Sequence, residues 1–241
     1  MLTCVSGYYQ IKNKHDDKYL KWFKTSLQIN APYVIFGTKE TIEIMRPFRD
    51  GLPTVFIERN IEDFECGKYE TKMWTDPLHC PSIDLNKMWN EKIFMVRDAS
   101  RLNPFNTEWF AWVDAGICIY RDVAPPKKQL CVNNLSKDKF NCSDHEPHQV
   151  TGTYVLYKDI IEDFAIWYES VLIESKIIKT DQIVLSLMYL TNSSKFNRVC
   201  SGYGTILIFL YELSEIIPTY IRLHGDKPAQ QMHHLKKITF Y

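Results

Sequence analysis

Residues 108–122 read EWFAWVDAGICIYRD. Trp109, Phe110, Trp112 and Val113 form a short run of large apolar side chains. The chain then turns at Asp114-Ala115-Gly116, and a second apolar run extends from Ile117 to Tyr120. An aromatic and β-branched run bounded by turn residues predicts a strand buried on both faces. Asp114 then stands at the end of a buried strand, on the edge where open α/β sheets take their ligands. The same turn has an ordinary explanation, because Asp and Gly form turns whatever the function.

Working back from this stretch, an amphipathic pattern predicts a helix from near Asp84 to about Ser100, with Met88, Trp89, Phe94 and Met95 inward and Asn103-Pro104 ending it. Before it, residues 62–90 are irregular, with Cys66-Gly67, Pro77 and Pro81, and read as loops and short helices covering a site. The N-terminal third alternates. Leu2–Val5 reads as a strand ending in a Ser6-Gly7 turn, and a helix follows through Tyr19, Leu20, Phe23 and Leu27, capped by Asp16 or Asp17. Tyr33–Phe36 is a second strand, a helix carries Ile42, Ile44 and Met45, and Pro53–Ile57 is a third strand. This alternation predicts parallel β-α units and a mostly parallel, doubly wound sheet flanked by helices. Downstream, Ala124–Pro147 reads as a polar surface excursion. A strand over Val150–Leu156, helices over Asp159–Glu174 and Asp181–Leu190, and short strands near Ile206 and over Thr219–Leu223 complete the chain.

The 241 residues suit one α/β domain, and Lys plus Arg balance Asp plus Glu at 29 each. No basic block stands out, so neither nucleic acid nor an acidic membrane is the expected partner. No signal pattern opens the chain, and the longest apolar run, Ile206–Tyr211, is too short to span a bilayer. Seven scattered cysteines without a CxxC pair predict reduced thiols in a soluble, cytoplasmic protein, several of them, such as Cys118 in its strand, packed as small apolar residues. Cys142, Asp144, His145 and His148 crowd one segment, but a zinc site would bring a second matching ligand pair, and a polar loop is the better reading. Neither GxGxxG nor GxxxxGK[ST] occurs.

Three further segments carry chemistry beside Asp114. In IRLHGDKP (221–228) an apolar strand ends at His224 and turns through Gly225, with Lys227 beyond. A histidine and a carboxylate on neighbouring strand ends can share a divalent ion, and a glycine backbone with a lysine can approach the phosphates that the ion bridges. An incidental surface turn would look the same. Asp181-Gln182 opens a helix behind Thr180, where the pair can grip sugar hydroxyls or simply cap and complement the helix dipole. Lys92 and Arg97, on the helix before the Asp114 strand, can neutralise a diphosphate or remain a solvated face.

The block KMWNEKIFMVRDASRLNPFNTEWFAWVDAGI (87–117), then GTYVLYKDIIEDFAIWYESV (152–171), then TDQIVLSLMY (180–189), resembles the HtrL/YibB (WlaTC-type) glycosyltransferase family. The NPF turn at Asn103-Pro104-Phe105, the WVDAG strand end and the glycine-led strand before an amphipathic helix carry it, from SGYY at the N-terminus to about Leu190. The resemblance implies a single Rossmann-like GT-A domain over 1–241, with a nucleotide-binding part to about 122 and a part for donor sugar and acceptor from about 123. Asp181-Gln182 and the HG-KP tail are similar to features of glycogenin-like transferases. That similarity implies Mn²⁺ or Mg²⁺ on Asp114 and His224, and the diphosphate on Gly225 and Lys227. The second Asp of a DxD is Gly116 here, so the ion could be weakly held, borrow Asp122 or be absent. The expected activity is metal-assisted transfer of a sugar from a UDP-sugar to a hydroxyl of a glycan or protein, with Asp181 and Gln182 at the donor sugar. Hydrolysis of a nucleotide sugar, or its binding without catalysis, are the alternatives. A homodimer stays open.

Overall fold

Leu2–Tyr8 (β1), Tyr33–Gly37 (β2), Thr54–Glu58 (β3) and Trp109–Trp112 (β4) run parallel in the computed structural model, which describes residues 1–11, 15 and 18–212. Phe140–Asp144 (β5), Tyr154–Tyr157 (β6) and Phe196–Ser201 (β7) extend the same sheet. β6 is antiparallel to both its neighbours, β4 and β5, while β5 pairs parallel with β7. The order is β3-β2-β1-β4-β6-β5-β7, so the described residues form a mixed, mostly parallel sheet. The strand–helix alternation predicted this architecture; the single reversed strand it did not.

Helices cover both faces. Ile83–Leu102 (α3) and Lys158–Glu174 (α4) pack Phe94, Met95, Ile161 and Phe164 against Val5, Phe110 and Trp112. On the other face, Phe23 of Lys18–Ser26 (α1), Met45 of Lys39–Met45 (α2) and Leu210 of Thr205–Glu212 (α6) meet Cys4, Tyr33 and Ala111. The period-2 alternation of β1 and β4 thus feeds two cores. Each fully buried large side chain contributes ~1.5–3 kcal/mol. α3 is well delimited: Ser82 accepts from Leu85 N at 3.2 Å, and Asn103 closes it in the left-handed region at φ 37°.

Several expectations are corrected. Ser6-Gly7 lies inside β1, because that strand pairs along its length with β2. Ile117–Tyr120 does not continue a strand; Cys118–Tyr120 is a 3₁₀ turn with Cys118 exposed. The polar excursion conceals β5, whose Phe140 and Cys142 are fully buried. The strand placed over Val150–Leu156 begins only at Tyr154. β7 went unanticipated, and Ile206 lies in α6 rather than a strand. Asp16, Asp17, Thr219–Leu223, His224, Gly225 and Lys227 fall outside the described residues. Among the described residues no helix is long and apolar enough to cross a membrane.

Candidate active site

Two residues along a strand share a face, so Trp112 and Asp114 both turn toward α3. There Trp112 Nε1 donates to Asp114 Oδ1 at 2.8 Å. Lys92 lies one turn beyond Met88 on the inward stripe of α3, which takes it into the core rather than into water. Its ammonium stands 3.1 Å from Asp114 Oδ1 and 3.0 Å from Asp181 Oδ2, and 5.7 Å from the centre of the Trp112 ring. Burial works against charge on Lys92, but the Asp114 and Asp181 carboxylates outweigh it and hold the ammonium above its ordinary range. Lys92 and Asp181 are buried, whereas the Asp114 side chain is 45 % exposed. Two carboxylates around one ammonium leave a formal charge of one negative, carried on the more open Asp114.

Asp181 opens Asp181–Thr191 (α5), whose N-cap Thr180 accepts from Ile183 N at 3.4 Å. Burial pushes the Asp181 carboxyl up, and Lys92 draws it back. Oδ2 accepts no hydrogen bond beyond its ion pair with Lys92. Gln182 receives the Tyr203 hydroxyl at 3.0 Å. Gly152 presses against this group: a Cβ there would lie 3.3 Å from both Asp181 Oδ2 and Lys92 Nζ. A side chain at this position would press on the ion pair, whose groups would have to give by a few tenths of an ångström. The Tyr154 hydroxyl is buried without a partner, and burial with Asp181 and Asp114 raises its pKa. His148 faces the same space; burial lowers its imidazole pKa while Asp181 pulls the other way.

Lys92, Asp114, His148, Gly152, Asp181, Gln182 and Tyr203 line a cavity of about 1060 Å³. It opens on the sheet edge where β1 and β4 end and β6 begins, bordered by Tyr8, Asp114 and Thr153. The structure therefore brings together Asp114, Lys92, Asp181 and Gln182, which are far apart in sequence. It does not bring Arg97, whose guanidinium is bound to Glu65 at 2.5 Å and to Asp98 at 3.1 Å, outside the cavity lining. Sequence reasoning passed over Arg121, His148 and Tyr203, all on the cavity wall. His148 carried a signal, its crowding with Cys142, Asp144 and His145. In the fold, though, Cys142 is buried and Asp144 pairs with Arg198 at 3.3 Å.

Of the residues expected to hold a divalent ion, His224 lies outside the described residues, while Asp114 and Asp122 already have partners of their own. Asp114 Oδ1 is already taken by Lys92 and Trp112. At Gly116 a Cβ would lie 3.0 Å from Trp22 and from Tyr19, so the second acid of a DxD has no room. Asp122 is exposed and paired with Lys21 at 2.9 Å. Among the described residues no group of three or more His, Cys, Asp or Glu is placed to hold a metal.

No protein-family model matches this chain, and no curated protein matches it in sequence. In solved structures, likeness is to mouse xyloside xylosyltransferase 1 in its apo form, at 8% identity over 82% of this chain and 84% of that one, with a TM-score of 0.49. A second is the 4-diphosphocytidyl-2C-methyl-D-erythritol synthase of Anaerococcus prevotii, at 9% identity over 89% and 98%, TM-score 0.45. Likeness at this level carries no inference about ligand or chemistry.

Proposed function

We propose that this chain is a transferase acting on a nucleotide sugar, and within that class a GT-A glycosyltransferase moving a sugar from a UDP-sugar to an acceptor hydroxyl on a glycan or protein. The observation that carries the reading is the Lys92–Asp114–Asp181 cluster at the carboxyl edge of the sheet, inside a cavity of nucleotide-sugar size. Sugar transfer builds positive charge at the anomeric carbon and negative charge on the departing diphosphate. A fixed cluster bearing one net negative charge favours the first of these. Ionised and held by Lys92, Asp181 accepts from sugar hydroxyls without having to reorganise, and Gln182 adds an amide beside it. Its burial suits an orienting carboxylate. Asp114, with Oδ1 engaged, offers Oδ2 toward the donor. The part of the chain to about 122 supplies Lys92 and Asp114, and the part beyond supplies Asp181 and Gln182, so both halves meet at the donor sugar. A Mn²⁺ or Mg²⁺ ion held by Asp114 and His224 would assist by neutralising charge on the departing diphosphate.

A panel of nucleotide sugars, with chelator and with added Mn²⁺, tests the reading by thermal melting and product analysis. A UDP-sugar should raise the melting temperature, since ligand at a hundred times its Kd stabilises by about 2.7 kcal/mol. With an acceptor present, its sugar should be transferred. No stabilisation and no consumption by any member of the panel would remove the proposal; UDP-sugar cleavage that acceptors never divert would replace transfer with hydrolysis.

A further inference from the structure

The nucleotide-sugar reading requires a cation for the diphosphate, and the two candidates that the sequence offered among the described residues, Lys92 and Arg97, are engaged elsewhere. Lys92 is matched by two carboxylates, and Arg97 is bound to Glu65 and Asp98. One guanidinium on the cavity wall is differently placed. Arg121 follows the 3₁₀ turn after Asp114-Ala115-Gly116, and its Nε donates to Gly116 O at 2.9 Å. Its guanidinium carbon lies over the Trp22 ring, 3.8 Å from the centroid, within the range of a cation–π contact. Among the described residues no carboxylate pairs with it; the adjacent Asp122 turns to Lys21. A partly buried cation fixed by a carbonyl and a ring, with no counter-charge, is built to receive an anion.

We infer that Arg121 is the diphosphate anchor of the cavity, its two terminal nitrogens donating to phosphate oxygens of a nucleoside diphosphate. The inference rests on the nucleotide-sugar reading and adds to it the residue that meets the leaving group. Nε is committed to Gly116 O, and the remaining N–H groups form the planar fork that matches phosphate oxygens. The fork hangs from the same turn that carries Asp114, so the diphosphate cation and the donor-sugar carboxylate are set by one short segment. Stacking on Trp22 removes rotamer freedom before the ligand arrives, which lowers the entropic cost of binding. The charge pattern is complementary to the reaction: an unpaired cation for the group that gains negative charge, and a net-negative cluster for the carbon that gains positive charge.

Arg121→Gln and Arg121→Lys test this with UDP, uridine and inorganic pyrophosphate as calorimetric probes. Arg121→Gln should weaken UDP about ten- to a hundredfold, since charged hydrogen bonds are worth roughly 1.5–3 kcal/mol, and leave uridine unchanged. Pyrophosphate should compete with UDP on the wild type and lose that competition in Arg121→Gln. Arg121→Lys keeps the charge but not the fork and should fall between. Unfolding curves of each variant separate loss of binding from loss of fold. If the wild type binds UDP and Arg121→Gln binds it equally well, the anchor assignment is wrong and the nucleotide-sugar reading stands. If UDP and uridine weaken together, Arg121 shapes the cavity without meeting phosphate, and the assignment again fails. A wild type that binds neither UDP nor uridine overturns both.

Discussion

Replacing Lys92 with Met removes the one cation between two carboxylates while keeping a side chain of similar length on the inward stripe of α3. Asp114 is half-exposed and water can take over its solvation. Asp181, with its side chain 6 % exposed, has no such recourse. Breaking a buried ion pair from one side costs about 3–5 kcal/mol. Protonation sets a ceiling. An unperturbed Asp titrates near about 3.9, so neutralising it at pH 7 costs about 4 kcal/mol, at about 1.4 per pH unit. The expected loss at pH 7 is therefore about 3–4 kcal/mol. The sign with pH follows from linkage. Without Lys92 the folded pKa of Asp181 lies far above its unfolded value, so the folded variant binds the extra proton and gains stability relative to wild type as pH falls. By pH 5 the ceiling is about 1.5 kcal/mol, so the gap to wild type should narrow by about 2 kcal/mol between pH 7 and pH 5. Urea unfolding followed by tryptophan fluorescence at both pH values reads this directly. Adding Asp181→Asn to Lys92→Met removes the stranded charge and should recover part of the loss. A loss under about 1 kcal/mol at pH 7, or one that stays constant to pH 5, would show that the three groups are not coupled as described.

Gly116→Asp rebuilds a DxD in sequence but forces a Cβ to within 3.0 Å of Trp22 and Tyr19. Thermal melting should show a loss of about 1–3 kcal/mol, and a manganese titration no gain in affinity; tight new binding would contradict the packing argument. Among the cysteines, Cys118 is exposed while Cys4, Cys66, Cys80 and Cys142 are buried. Limiting iodoacetamide on the native protein should therefore label Cys118 ahead of those four, and all seven thiols should react after denaturation without reductant. The resemblance to glycogenin-like tails implies a second phosphate contact at Lys227, outside the described residues. Lys227→Ala should weaken UDP about ten- to a hundredfold with uridine unaffected, and equal affinities for UDP before and after the change would end that part of the analogy.

Much of the scaffold was legible because its causes are local. The inward stripe of α3 and the stop at Asn103-Pro104 lie within one stretch of chain, as do the apolar runs of β1, β2 and β4. The end of β4 just before Asp114 was readable for the same reason. Where the cause was a distant partner, the sequence was mute. β7, FNRVCS, has no period-2 alternation, lies at a sheet edge and declares itself only by pairing with β5. The apolar run at Ile206 fits a buried helix or a strand equally well until the sheet face that also carries α1 takes it as α6.

The site divides along the same line. Sequence alone identified Asp114 as a strand-end carboxylate and Asp181-Gln182 as a helix opening, each a property of its own segment. Only the tertiary structure turned Lys92 from an apparent surface charge into a buried ammonium shared by both carboxylates, because α3 packs its inward face on the same side of the sheet as Trp112. It also tied Arg97 to Glu65, filled the space beside Gly116 with Trp22 and Tyr19, and left Arg121 on the cavity wall without a carboxylate partner among the described residues. Charge and ligand capacity are not properties of a residue's position in the chain. They depend on which groups surround it and how much water remains, and long-range packing decides both.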